Sequence, residues 1–186
     1  MKTQQIFLLF ICIILAACNT PTQNISVEAG VAKTMAEYRA KIISDLEYQL
    51  TFEIPENRDV NIPGKNTINF SLLEVTQDLQ IDFREKASLI LKVICNGEKS
   101  NYRFEKEHII IPKGELLKGS NHIEIEFTTG NTSLNRNDEF LYTLFVPDRA
   151  RTAFPCFDQP DLKASFQLNL TVPSHWKAMA NGKLDT

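Results

Sequence analysis

Leu46-Glu-Tyr-Gln-Leu-Thr-Phe-Glu-Ile54 is the stretch on which the fold class turns. Leu46, Tyr48, Leu50, Phe52 and Ile54 alternate with Glu47, Gln49, Thr51 and Glu53. A period of two puts the apolar set on one face of a strand and the polar set on the other, so this is a half-buried strand. Pro55 ends it, having no N–H to give to a ladder. The same alternation recurs in Ile68/Phe70/Leu72, in Leu79/Ile81/Phe83 and in Leu89/Leu91/Val93/Cys95. Asn96-Gly97 is a hairpin-turn dipeptide, and Tyr102-Arg-Phe104 is the expected returning strand. Stretches 108–111, 123–127, 140–146, 166–172 and 176–180 continue the series. Ahead of it, Val31, Met35, Tyr38 and Ile42 stand at helical spacing between Val27 and Ile43, which predicts one short helix. About nine short strands with turn residues between them predict an all-β fold. The expected architecture is an antiparallel sandwich or saddle with that helix before its first strand.

Outward from this core, the N-terminus reads as an address. Lys2 precedes the apolar run Ile6–Leu15, which is too short for a membrane-spanning helix of roughly 20 residues and suits a secretory signal. Leu15-Ala-Ala-Cys18 resembles a bacterial lipobox, whose cysteine sulfur takes the lipid. The expected organisation is a signal peptide over 1–17, a lipidated tether and short helix over 18–44, and a β domain over 45–186. Cys18 is then the lipid-attachment residue, a membrane the first partner and the bacterial cell envelope the location. With 23 acidic against 20 basic residues and a net charge of −3, nucleic acid is not an expected partner. Cys12 leaves with the signal and Cys18 is alkylated, so Cys95 and Cys156 remain. They either pair in an oxidising compartment or stay as two separately buried thiols, the latter being expected.

Local signals for chemistry are few. No stretch reads GxGxxG, GxxxxGK[ST] or GxSxG. His108, His122 and His175 each stand alone, and none opens the H-E-x-x-H that places two zinc ligands on one helical face. His122-Ile-Glu124 with Pro155-Cys156 mimics a zinc-deaminase signature, but position 159 holds glutamine where a second cysteine is required. The histidines are expected on strand surfaces. The pairs Glu105/Glu107 and Glu124/Glu126 are expected to be solvated charge.

One segment departs from generic β-sheet. Leu141–Ala164 places three prolines, two arginines and three aspartates between two strong strands. So long a loop costs much ordering entropy and needs a role. Its core, Ala150-Arg151, Phe154-Pro-Cys-Phe-Asp-Gln-Pro160 and Leu162-Lys-Ala164, closely resembles the M1 family of zinc aminopeptidases. Phe166–Pro173 and Trp176–Asn181 continue the resemblance, and the strand series from Asp45 extends it over nearly all the chain that follows the signal.

The resemblance implies the saddle-like N-terminal β domain of that family, expected here to be incomplete at its C-terminus. In the family a zinc domain follows, carrying a GAMEN-type strand and H-E-x-x-H. Neither occurs in this sequence, so the chain alone is expected to be inactive, with zinc and peptides implied only for a longer homologue. Arg151, Phe154, Pro155, Cys156, Phe157, Asp158 and Pro160 match the positions that shape the family's loop. Their implied role is structural, with a buried Arg151–Asp158 pair and fixed φ angles holding the loop against a catalytic zinc domain. The family tends to carry Gln-x-Glu ahead of Phe-Pro-Cys, its glutamate binding the substrate's α-amino group. Those two positions are Leu144 and Val146 here. Valine cannot pair with an ammonium, so Val146 is a substrate-cleft candidate at which amino-terminal recognition departs from the pattern. The expected function is therefore the non-catalytic domain of a lipid-anchored M1-type aminopeptidase. The alternative is a stand-alone lipoprotein module that binds peptides or proteins.

Overall fold

In the computed structural model, which describes residues 25–184, helix α1 (Lys33–Ile42) runs directly into strand β1 (Ile43–Glu53). The helix is shorter than the Val27–Ile43 periodicity suggests. Gly30 takes φ +81°, which no helix interior accommodates, and residues 25–30 form an extended strap instead. Along β1, Leu46, Tyr48 and Leu50 are buried and Glu47 and Gln49 exposed, as the alternation requires.

The remaining strands are β2 (Pro63–Leu72), β3 (Leu79–Asp82), β4 (Ile90–Cys95), β5 (Glu98–Lys99), β6 (Arg103–Glu105), β7 (His108–Ile111), β8 (Gly119–Thr128), β9 (Leu134–Arg136), β10 (Leu141–Thr143) and β11 (Ser165–Thr171). They form a six-stranded sheet ordered β11-β1-β2-β8-β4-β5, a three-stranded sheet ordered β3-β7-β6, and the β9–β10 pair. Every pairing is antiparallel except β1 with β11, which run parallel from Glu47↔Ser165 to Glu53↔Thr171. Nine strands intervene between β1 and β11, so no tight turn forces this pair to be antiparallel.

Three strand expectations need correction. The turn at Asn96-Gly97 forms, with both residues at positive φ, but its return is Glu98–Lys99. Glu115 takes Ser100 Oγ–H and the Asn101 N–H at 2.6 and 2.8 Å, which leads the chain off that ladder, and Arg103–Glu105 pairs with β7 in the other sheet. Stretch 140–146 is laddered only over Leu141–Thr143, and stretch 176–180 forms no strand.

The two larger sheets share one core. Ile68, Phe70, Ile123, Ile125 and Phe127 meet Leu79, Ile81, Ile109 and Ile111 across it. At Gly64 the ring of Phe127 lies so close that a Cβ would fall 2.6 Å from its Cζ, so this strand position requires glycine.

Candidate functional site

The Pro-rich loop plugs the end of this core. Phe154 packs edge-on against Phe52 and Phe145, and Phe157 against Phe70, at centroid distances of 5.6–6.4 Å. Between them Cys156 extends the small sheet, exchanging backbone hydrogen bonds of 2.8 and 3.0 Å with Asp82 at the free edge of β3. The Pro155 carbonyl accepts from Asn66 Nδ2 at 2.7 Å, and the Phe157 N–H donates to the Tyr48 hydroxyl at 2.9 Å. The loop is thus pinned to β1, β2 and β3 at three successive residues. Pro160 is exposed, with its fixed φ ending the tight segment.

The expected buried Arg151–Asp158 ion pair does not form. Arg151 Nη1 reaches Glu107 at 2.7 Å and Nη2 reaches Asp148 at 3.0 Å. Asp158 accepts the backbone N–H of Arg151 at 3.1 Å instead, as a turn cap within the loop. The reason is competition: Glu107 and Asp148 take the Arg151 guanidinium, which leaves the main-chain N–H as the donor to Asp158. Burial raises the pKa of Asp158 above the ordinary range, with Asp82 adding repulsion, against the lowering effect of that N–H and of the Arg151 charge.

The buried ion pair of this region involves Arg39 and Asp82, which sequence reasoning missed. Both side chains are essentially inaccessible, and the pair is bidentate at 2.9 and 2.6 Å. Arg39 Nη2 also donates to the Gln80 carbonyl, and its guanidinium lies 5.2 Å from the Phe157 ring centroid. Asp82 further accepts the N–H of Asp158 at 2.8 Å and faces His108 Nδ1 at 3.0 Å. Burial alone would raise the Asp82 pKa; the Arg39 charge and the His108 and Arg39 contacts outweigh it and hold the carboxyl at about 2. A signal for Arg39 was present, since it shares the helix face of Met35 and Ile42, where a charge must find a buried partner. Nothing local marked Asp82, which alternates with Leu79, Ile81 and Phe83 like a solvent-facing residue.

His108 is likewise fully buried, correcting the expected strand-surface placement, because helix α1 and the strap cover the outer face of the small sheet. His122 and His175 are at the surface. Glu107 is not free charge: it bridges Arg151 and Arg84. Cys95 and Cys156 are both unpaired and buried, and burial raises both thiols, Cys95 to about 11, so neither is poised as a nucleophile.

Val146 lies at the surface, 72% exposed, at the end of a ridge in which Phe140, Tyr142 and Leu144 precede it at alternate positions. A second uncovered apolar row, Phe166, Leu168 and Leu170, runs along β11, where Phe166 is 59% exposed even though its ring stacks on Tyr48 at 5.0 Å. Cys18 lies outside the described residues. Among the described residues no group of three or more His, Cys, Asp or Glu is placed to hold a metal ion.

Comparison with known proteins places this geometry. The Peptidase M1 N-terminal domain family matches residues 44–186. The chain is 28% identical over 166 residues to aminopeptidase N of Streptomyces lividans, covering 82% of this chain and 19% of that protein. It is 36% identical over 96 residues to probable M1 family aminopeptidase 1 of Encephalitozoon cuniculi, covering 48% of this chain and 11% of that protein. Among solved structures, an M1 zinc metallopeptidase from Deinococcus radiodurans superposes with a TM-score of 0.64 at 17% identity, over 78% of this chain and 36% of that one. The chain therefore spans only about a fifth or less of the length of these curated relatives.

Proposed function

This chain belonging to the peptidase M1 N-terminal domain family, we propose that it serves as the non-catalytic β domain of a longer zinc aminopeptidase. In the same reading the protein is anchored to the bacterial cell envelope through lipid on Cys18. The observation that carries the proposal is the ridge Phe140, Tyr142, Leu144 and Val146 beside the anchored loop. An apolar row of this kind, like the one along β11, is a surface awaiting cover. A zinc domain docked there makes the ridge one wall of a peptide cleft.

The residues of this chain then position and exclude. The pinned Phe154–Phe157 segment keeps the wall rigid, and the ridge keeps water from one side of the bound peptide. Zinc, when bound in the second domain, supplies the activation of the water that attacks the peptide bond. Val146 offers no partner to a peptide ammonium, so recognition of the amino terminus falls to other residues. The same ridge also suits the alternative, a module that binds peptides or proteins directly.

The deciding experiment is an immunoblot against this domain in native cells, with metal analysis of the purified species. A zinc-bearing band several times heavier than 21.2 kDa supports the peptidase reading. A lipidated, zinc-free band near that mass overturns it and leaves the binding module. A heavy, unlipidated band removes the anchor alone.

A further inference from the structure

The strap over residues 25–30 lies across the outer side of the small sheet, with Ile25 and Val27 half-buried and four polar grips holding it. Ile25 N–H donates to Gln77 Oε1 at 2.9 Å, Lys106 Nζ donates to the Val27 carbonyl at 3.0 Å, and Gly30 N–H donates to Glu107 Oε2 at 3.2 Å. Lys106 and Glu107 form the two-residue turn between β6 and β7, both at positive φ although neither is glycine. The fourth grip comes from inside. His108 Nε2 stands 2.8 Å from the Glu28 carbonyl and 3.1 Å from the Gly30 carbonyl, while Nδ1 stands 3.0 Å from Asp82 Oδ1.

All three atoms facing the ring are acceptors. A neutral imidazole has one N–H and can satisfy only one side. With two protons it meets both, as a charge contact to Asp82 and as a hydrogen bond to the strap. We propose that residues 25–30 form a proton-controlled strap, locked onto the domain while His108 is doubly protonated and released when the ring loses one proton. The strap yields because the other side cannot. Asp82 is inaccessible and fixed by Arg39 and by the Asp158 N–H, whereas Ser26, Glu28 and Ala29 are exposed. The Asp82 charge keeps the remaining proton on Nδ1, and the bare Nε2 then confronts two carbonyl oxygens.

The charged groups around the ring are consistent with this direction. Asp82 faces it from β3 and Arg39 from α1 through Asp82; Asp158, Asp148 and Arg151 stand on the loop side. Lys106 and Glu107 face the strap from the turn, Glu105 lies opposite in register, and Arg84 reaches Glu107. Glu28 contributes its carbonyl, its carboxylate being turned to Ser26 Oγ. A groove of about 300 Å³ lies between Ile25 and Val27 on one side and Gln80, Ile110 and Arg103 on the other, and release removes its strap wall.

Hydrogen exchange on the whole chain, corrected for the intrinsic pH dependence of the rates, tests this. Protection of the Ile25 and Gly30 amides should fall about tenfold or more as the His108 ring loses one proton on raising the pH, the effect of one hydrogen bond to a charged donor. The β8 amides should keep theirs. In His108→Gln the pH dependence should vanish, and in Glu107→Gln it should persist. If the histidine variant does not fold, the nitrogen signals of the His108 ring in the native chain decide. A singly protonated ring while the strap is protected, or strap protection that does not change with pH, overturns the proposal.

Discussion

The cluster under helix α1 and the ridge on β10 invert the usual distribution of side chains in opposite senses. Under α1, a single buried guanidinium, Arg39, pairs with Asp82, which also faces the buried His108. In and around β10, Phe140, Tyr142, Leu144 and Val146 face solvent. The first arrangement is stable because each charge has a near partner: Arg39 satisfies Asp82 bidentately, and Asp82 in turn takes the loop's Asp158 N–H. The second has no partner within the described residues. Buried charge here holds the loop in place, whereas the exposed apolar surface is the face to which the proposed function assigns a second domain.

The comparison breaks most visibly at Arg39. Arg39→Ala leaves Asp82 charged, buried and unpaired, and should cost about 3–5 kcal/mol in urea denaturation. A loss below about 1 kcal/mol would mean the cluster does not hold the loop. Next in size is Gly64→Ala, which drives a methyl into the Phe127 ring and should cost about 1–3 kcal/mol by the same measurement. This probes the core away from both regions.

Acid gives a third test. Asp82 is held at about 2 in the folded protein, below the ordinary carboxylate value of about 3.9. Its contribution to stability is therefore fully present above about pH 4 and is lost as pH falls toward about 2. Asp158, raised by burial, runs the opposite way, its contribution declining as pH rises through its folded value. Asp82→Asn should flatten the acid limb of the stability curve, and Asp158→Asn should not. The smallest stability effect is expected at the ridge: Val146→Ser and Tyr142→Ser should each stay within about 0.5 kcal/mol of the parent. Their effect should instead fall on peptide hydrolysis by the full-length protein, as a raised KM, and unchanged kinetics would remove the ridge as a cleft wall.

Much of the fold was legible because it rests on local periodicity. The alternation in β1 and β8, the Asn96-Gly97 turn and the helix face of Met35 and Ile42 are each set within a few residues. The loop motif was legible as a motif, but its internal pairing was not. Arg151 selects Glu107, 44 positions away in sequence, over Asp158, seven positions on. His108 and Asp82 looked like surface residues because a period of two reports which residues share a face. It does not report whether a second layer covers that face.

The sequence by itself determined the all-β class, most strand positions and the identity of the loop, since backbone periodicity and turn chemistry act over short separations. Only the tertiary structure decided which charges are buried together. Arg39, Asp82 and His108 come from a helix and two strands, and their pairing exists only once the strap and α1 have closed over the small sheet and taken those groups out of water.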